Sequence, residues 1–183
     1  DVVFLECKDG TSPEDIEAKY GVTFAWLYFI DKAGNPRKLE NSCNFFAAHT
    51  DTEIDACAPH CHGNKKVIRR WTILDWCSGE LSEATQIIKA VDQTPPTFIT
   101  KDTTVSTRPW DCTGEFFLPL PWELHDNCDA NPTYVVSGPE GVIVTKVGNR
   151  WRASNVEKGI HTFTYIASDC CGNKGTETVN VTV

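Results

Sequence analysis

The chain has 183 residues, a net charge of -8, nine cysteines and no methionine. The length suits one large or two small domains, and so many cysteines are typical of proteins that fold in an oxidising compartment. We therefore expect an extracellular protein without a nucleic-acid partner, because 17 basic residues against 25 acidic ones leave no basic surface for phosphates.

The first elements of the chain have clear local signals. Residues 1–6 predict a strand. Ser12 followed by Pro13 and two acidic residues predicts the start of a short helix, which Gly21 ends. Residues 22–30 are rich in aromatic and branched side chains and predict a strand, and residues 31–36 supply a turn, so that a hairpin follows.

A polar, cysteine-rich stretch follows at residues 41–64, with a short strand predicted at 45–49. Within it the sequence Cys57-Ala-Pro-His60-Cys61-His62 contains zinc-ligand residue types. The spacing crowds these ligands into one turn, and an oxidising compartment favours disulfides over thiolates. We therefore expect a cross-linked loop here, with zinc as the alternative.

A repeat organises the whole chain. With one constant offset, three positions of the first half align with three of the second: Trp71 with Tyr165, Asp75 with Asp169, and Cys77 with Cys171. Such self-similarity indicates two copies of one module. The copies meet at residues 92–96, where Pro95 and Pro96 fix an extended backbone, so we expect modules at 1–92 and 93–183 joined by a short, stiff linker.

The second module contains short strands separated by turn residues. We predict strands at 97–106, 116–122, 133–136, 142–147, 151–153, 161–168 and 176–183. Seven short strands with hardly any helical periodicity indicate an immunoglobulin-like β-sandwich. The predicted fold class is all-β, with two tandem immunoglobulin-like sandwiches cross-linked by disulfides.

Several of these motifs together resemble a known family. The segment 165–173, the loop Asp126-Asn127-Cys128 and the junction 91–96 are similar to the tandem Ig-like, hyalin-related repeats of very large Bacteroidota surface proteins, such as gliding-motility adhesins exported by the type IX system. The resemblance implies a structural or adhesive role at the cell surface, with neighbouring repeats, and in a fibre other copies of the chain, as partners. We also expect a segment of a longer, processed chain.

The sandwich interpretation leads to disulfide predictions. The loops that hold Cys128 and Cys171 would share one pole of the fold, so we predict that these two residues pair, which leaves Cys112 for Cys170. In the first module we predict that Cys43 pairs with Cys77. Sequence alone cannot choose among the possible connectivities. Cys7, Cys57 and Cys61 complete the nine, and one cysteine of the first module is left over, either free or bonded to another chain.

Acidic residues near the junction suggest a metal. Asp92 lies in the linker, and Asp126 and Asp169 lie in loops expected at the adjacent pole of the second module. Carboxylate oxygens on irregular loops suit Ca²⁺. The alternative is that these side chains only stabilise turns by bonding their own backbone. No other cofactor is expected.

Tryptophans raise a competing function. Trp110 and Trp151 are the candidates for a site that stacks on surface glycans, although isolated exposed aromatic residues are common. The chain has no catalytic motif of the known kinds, so we expect no enzyme. Nor does any apolar run approach the ~20 residues of a membrane span. The sequence therefore predicts a stiff extracellular spacer or fibre unit, with a carbohydrate-binding module as the alternative.

Overall fold

The computed structural model describes residues 2–39, 44–57, 61 and 64–183. The chain divides into two compact units, residues 1–92 and 93–183, which is the division that the proline-containing junction predicts. None of the helices in these described ranges is long and apolar enough to cross a membrane.

The described residues of the first unit form two helices and six strands. In chain order these are β1 (Val2–Leu5), α1 (Pro13–Tyr20), α2 (Val22–Ala25), β2 (Tyr28–Ile30), β3 (Pro36–Lys38), β4 (Phe45–Asp55), β5 (Lys65–Asp75) and β6 (Leu81–Ala90). A four-stranded sheet has the order β1-β6-β5-β4, and β2 and β3 form a separate hairpin. Strand β4 is 11 residues long, so the predicted strand at 45–49 is too short.

Helix α1 confirms the predicted start and stop signals. The hydroxyl of Ser12 accepts the backbone N–H of Asp15 at 3.1 Å, and the acidic first turn faces the positive end of the helix dipole. At the other end, Gly21 has a φ of 87°, and its N–H donates to the Glu17 carbonyl at 2.8 Å. Ile16 is fully buried, so the helix packs on the sheet.

The strand predicted at residues 22–30 is wrong in its first half. Residues 22–25 form the single turn of α2, and only Tyr28–Ile30 is extended. The turn is held from outside: the Gln86 side-chain amide donates to the Phe24 carbonyl, and the Trp26 indole N–H donates to Glu17 at 2.6 Å. The Trp26 ring also lies 5.8 Å from the Trp71 ring. Contacts with distant residues therefore override the local strand preference.

The core of the first unit is small and includes an ion pair. Alternate residues of β1, β5 and β6 bury Val3, Leu5, Val67, Ile88 and Ala90 against the helices. On the same face of β5, Arg69 is fully buried and donates to both carboxylate oxygens of Asp51, at 2.9 and 2.8 Å. A third bond goes to the Thr11 carbonyl at 2.7 Å.

The second unit is a β-sandwich of nine strands. These are β7 (Thr97–Ile99), β8 (Thr103–Thr104), β9 (Gly114–Phe117), β10 (Trp122–His125), β11 (Thr133–Ser137), β12 (Ile143–Val147), β13 (Arg150–Val156), β14 (Ile160–Ser168) and β15 (Lys174–Thr182). The sheet β11-β14-β15-β8 contributes one layer and β12-β13-β9 another, with the pair β10-β7 beside them. The chain is thus an all-β sandwich protein, as predicted.

The core of the second unit is almost entirely apolar. Along β14, alternate residues point inward, which buries Phe163, Tyr165 and Ala167. They pack with Leu118, Val136 and residues of β13 and β15 in one cluster. The buried Tyr165 hydroxyl donates to the Pro119 carbonyl at 2.9 Å, so the polar end of this ring is satisfied.

In each unit an early strand pairs with the last one, and this pairing is parallel. In the first unit β1 runs along β6, from Val2 opposite Ile87 to Leu5 opposite Ala90. In the second unit β8 runs along β15, with Thr103 opposite Val181. The remaining strand pairs in both units are antiparallel.

Both ends of the predicted linker are anchored, each in its own unit. The N–H of Asp92 donates to the side-chain carbonyl of Asn64, and both residues are buried. Pro96 is fully buried, and its carbonyl lies so close to Gly175 that a Cβ there would be 2.1 Å from the oxygen. Only glycine fits at residue 175, and this close approach holds the end of the linker against β15.

Candidate functional site

The aligned aspartates occupy equivalent turns. Asp75 follows β5, and its Oδ1 accepts the N–H of Cys77 at 2.8 Å. Asp169 follows β14, and its Oδ1 accepts the N–H of Cys171, also at 2.8 Å. These are Asx turns, in which the side chain stabilises its own backbone two residues on. The repeat seen in the sequence is therefore a repeated strand and turn in the structure.

The two turns differ in burial and in bonding. Asp169 is 8% exposed and accepts further bonds from the backbone N–H of Asn173 at 2.9 Å and from its side-chain amide at 2.7 Å. Asp75 is less buried, and its second oxygen accepts the Ser78 hydroxyl at 2.9 Å. Hydrogen bonds from backbone N–H groups lower the pKa of Asp75.

Asp126 lies beside Asp169 in the second unit. One carboxylate oxygen of each lies within 4.8 Å of the other. Asp126 Oδ1 accepts the N–H groups of Cys128 and Asp129 at 2.9 and 2.8 Å, which makes another Asx turn. Its Oδ2 is buried and has no hydrogen-bond partner among the described residues. Oδ2 is therefore the oxygen of this pair that is open to a cation.

The predicted calcium ligands are thus partly engaged already. All three hydrogen bonds to Asp169 and both bonds to Asp126 Oδ1 support the turn-stabilising alternative. Asp92 is buried at 3% exposure. A calcium site formed by Asp92, Asp126 and Asp169 stays a prediction.

Six described cysteines form three disulfides: Cys7, Cys57, Cys61, Cys128, Cys170 and Cys171. Cys77 and Cys112 carry free, exposed thiols. The predicted pairs Cys112–Cys170 and Cys43–Cys77 are therefore wrong. Cys112 lies in a turn in which Asp111 accepts the N–H of Thr113, and the Cys77 thiol donates to the Asn44 side chain at 3.6 Å.

The remaining cysteine predictions have different outcomes. Cys128 and Cys171 are both disulfide-bonded, and their pairing with each other stays a prediction that non-reducing peptide mapping can test. Cys57 and Cys61 are also bonded, which agrees with the cross-linked loop and removes the thiolates that zinc would need. Cys43, His60 and His62 lie outside the described residues.

Of the two tryptophans predicted to stack on glycans, one has an exposed ring and the other is partly buried. Trp110 is 94% exposed in the loop before β9. Trp151 is partly buried and packs against the core of the second unit, so its ring is not a free stacking platform. Trp122 is 70% exposed on β10. Trp71 and Tyr165, which the repeat aligns with each other, are both buried.

The second unit contains a concavity that the sequence does not predict. It has a volume of about 380 Å³. Its lining includes the apolar side chains of Leu120 and Leu124 with the Tyr134 ring, and the polar side chains of Lys146, Asn149 and Arg150. These residues come from separate segments that only the sheet register brings together, so no local motif marks them.

Comparisons with known proteins do not identify the chain. No family model and no curated protein matches it. Among solved structures, the endo-fucoidan hydrolase MfFcnA4 of glycoside hydrolase family 107 is 17% identical with a TM-score of 0.31, over 75% of this chain and 23% of that one. Human CDH23 EC21-23 is 15% identical with a TM-score of 0.38, over 64% of this chain and 46% of that one.

Human protocadherin-24 EC1-2 is 11% identical with a TM-score of 0.35, over 100% of this chain and 93% of that one. The chain spans less than half the length of the hydrolase and of the CDH23 fragment. At such low TM-scores, these likenesses support neither a shared family nor a shared function.

Proposed function

We propose that this chain is a load-bearing spacer segment of an extracellular, multi-repeat protein. The observation that carries the proposal is the parallel pairing near the two ends of each unit, β1 with β6 and β8 with β15. When the two ends of a unit are pulled apart, parallel strands slide along each other. Their hydrogen bonds then resist together rather than one by one.

Further bonds reinforce this pairing in the second unit. The Val105 N–H donates to the Thr182 carbonyl at 2.9 Å, and the Thr100 hydroxyl donates to the Thr178 carbonyl at 3.0 Å. The carboxylate of Asp102 accepts the backbone N–H of Asn180 at 2.8 Å. The segment before β9 is thus attached to β15 at several points, and all of them would be loaded in shear.

Two features support a role as an extracellular spacer. The three disulfides suit an oxidising compartment. Each unit anchors its own end of the linker, which leaves few freely rotating residues between Asp92 and Pro96. The sequence resemblance alone adds three parts to the proposal. These are the surface of a Bacteroidota-type cell as the location, export by the type IX system, and neighbouring repeats as partners.

Single-molecule force spectroscopy of the full chain, held at its two termini, tests the proposal. We expect two unfolding events, one per unit. Val105→Pro removes one N–H of the loaded pairing and should lower the unfolding force of the second unit. Thr145→Pro, in the edge strand β12, is the control and should leave the force close to its original value. Equal losses in both variants would contradict a mechanical role for the β8 segment.

Association with other copies is a second part of the proposal. Strand β4 is an edge strand, and residues 48–55 are exposed along it. Unpaired strand edges are sites where another chain can add. Sedimentation velocity at increasing concentration should detect dimers or longer assemblies. Thr52→Pro should abolish them, whereas a wild-type chain that stays monomeric at all concentrations would remove side-by-side association from the proposal.

Calcium binding is the third part, and it rests on the unpartnered Oδ2 of Asp126 beside Asp169. Calcium that binds the folded state should raise the melting temperature of the chain, and EDTA should reverse the change. Asp126→Asn should reduce this response, with Asp102→Asn as the control in the same unit. A melting temperature that ignores both calcium and EDTA would exclude the site.

A carbohydrate-binding role is the alternative function, and the 94% exposure of Trp110 is the observation that favours it. An exposed indole can stack on a sugar ring. A glycan-array signal that Trp110→Ala removes would support this alternative. A signal that is absent, or that survives the substitution, would leave the spacer role as the better account.

A further inference from the structure

Two cations of this acidic chain line the same concavity in the second unit. Six of the chain's arginines and lysines pair with a carboxylate: Lys19, Arg37, Lys65, Arg69, Arg108 and Arg152. Lys146 and Arg150 have no carboxylate within ion-pair distance in the part of the chain that the structure describes. Both line the concavity of the second unit, and none of its lining residues is acidic.

Both cations lie at the hairpin β12–β13, and each is near an aromatic ring. Lys146 lies opposite Trp151, and its Nζ is 6.0 Å from the centre of the indole ring. The guanidinium of Arg150 lies 4.6 Å from the ring of Phe117. An aromatic face attracts a cation but accepts few of its hydrogen bonds. The N–H groups of both side chains therefore stay available to an anion.

Tyr134 adds a flat ring and a hydroxyl to the same concavity. Its ring stacks on that of the buried Tyr165, with 6.2 Å between centroids and 12° between planes, so its orientation is fixed. Burial raises the pKa of Tyr134, and the positive charge of Arg150 partly opposes this shift. Tyr134 is therefore a neutral hydroxyl near a guanidinium, able both to donate and to accept.

We propose that this concavity binds an acidic sugar residue, with its carboxylate on Lys146, the positive charge of Arg150 at the rim, and its ring against Tyr134, Leu120 and Leu124. The chemistry matches on each side: cations for the carboxylate, the Asn149 amide and the Tyr134 hydroxyl for sugar hydroxyls, and apolar groups for the C–H face. A volume of about 380 Å³ is at the small end of ligand pockets, which run from roughly 300 to 1,000 Å³. This site is independent of the load-bearing role.

The surroundings favour an acidic sugar over an inorganic anion. A phosphate or sulfate ion would use only the cations and would leave the apolar side of the concavity exposed to water. A neutral sugar would use the apolar side and leave both cations without a counter-charge. A carboxylated pyranose uses both sides at once, so we expect it to bind more tightly than either.

Isothermal titration of the full chain with digalacturonic acid tests the proposal. The matched control ligand is the same disaccharide with both carboxylates reduced to alcohols. We expect binding of the acid, weakening as salt increases, and binding at least about tenfold weaker for the reduced sugar, because the charge-assisted hydrogen bonds are lost. Equal affinities for the two sugars would overturn the role of the cations. No binding of digalacturonic acid would overturn the site.

Variants locate the site. Lys146→Gln and Arg150→Gln should each weaken binding about tenfold, and the double variant should abolish it. Lys158→Gln, an exposed lysine outside the concavity, is the control and should bind as the wild type does. Hexaglutamate serves as a second probe. If this peptide binds as tightly as the sugar acid and with the same dependence on Lys146 and Arg150, the concavity recognises anions in general and the sugar assignment is wrong.

Discussion

The two units contain the same strand, Asx turn and returning strand but complete their folds differently. In the second unit, a second sheet covers the first, and the buried cluster is apolar. In the first unit, helices α1 and α2 cover the sheet, and the interior includes the ion pair of Arg69 with Asp51. The comparison suggests that apolar packing stabilises the second unit, whereas caps and charges contribute much more to the first.

The largest effect should come from the core of the second unit. Phe163→Ala removes a fully buried ring and should lower the free energy of unfolding of that unit by about 3 to 5 kcal/mol. Hydrogen exchange followed by mass spectrometry reads each unit separately. Ile160→Ala, at a 72% exposed position of the same strand, should change it by less than about 1 kcal/mol. Similar losses for both variants would contradict the apolar-core account.

The ion pair should be the most sensitive point of the first unit. Asp51→Ala leaves the fully buried Arg69 without its partner and should cost about 3 kcal/mol, at the lower end for a broken buried pair because the Asp51 side chain is 30% exposed. Glu53→Ala breaks the solvent-exposed pair with Lys65 and should cost less than about 1 kcal/mol. Urea unfolding of both variants gives the difference, and equal costs would deny the ion pair its special role.

Acid should loosen the first unit before the second. In the first unit, hydrogen bonds from Arg69 lower the pKa of Asp51, and the pKa values of Asp9, Asp31 and Asp75 are also lowered. In the second unit, the aspartate with a lowered pKa is Asp111. A lowered folded pKa stabilises above the unfolded value of about 3.9 and loses that contribution as pH falls through the folded pKa. Below about pH 4, the protection of backbone amides against hydrogen exchange should therefore be lost first in residues 1–92. Simultaneous loss in both units would contradict the comparison.

The two Asx turns offer a more modest test. Asp169→Ala leaves the partly buried N–H groups of Cys171 and Asn173 without their acceptor and should cost about 2 kcal/mol. Asp75→Ala should cost less, because its turn is open to water that can replace the lost bonds. Thermal melts of the two variants give the order of the effects. The reverse order would show that burial is not what separates the two turns.

The smallest expected effect is at the cap of α1. Ser12→Ala removes the acceptor of the Asp15 N–H and should destabilise the first unit by about 1 kcal/mol, with no change in the second. Ser12→Asp keeps an acceptor at the cap and should restore most of the loss. Failure of the aspartate to rescue would mean that the hydroxyl acts through some other contact.

Local signals predicted the fold where the chain itself supplies the bonds. Ser12 and Gly21 bound α1 because both caps use neighbouring residues, and the repeat predicted the positions of Asp75 and Asp169. Residues 22–25 could not be predicted, because the bond from Gln86 to Phe24 joins residues far apart in the sequence. In residues 22–25, the contact with Gln86 therefore outweighed the strand-forming composition.

The candidate sites were predictable only in part, for the same reason. Turn-forming aspartates can be recognised in a sequence, but their burial cannot, and this is what separates Asp169 from Asp75. Disulfide pairing depends on which turns face each other, and the sequence could not reveal that the Cys112 thiol is exposed. Lys146 and Tyr134 lie on different strands and come together only in the folded sheets, so no spacing in the sequence predicts the concavity.

The parallel pairing also governs how the protein acquires its structure. Val2 must find Ile87, and Thr103 must find Val181, so each unit closes only after most of its own residues have been synthesised. Contacts between residues so distant in sequence slow folding, because loop closure comes before any gain in contacts. A nascent chain would therefore remain open and within reach of export chaperones until its last strand emerges.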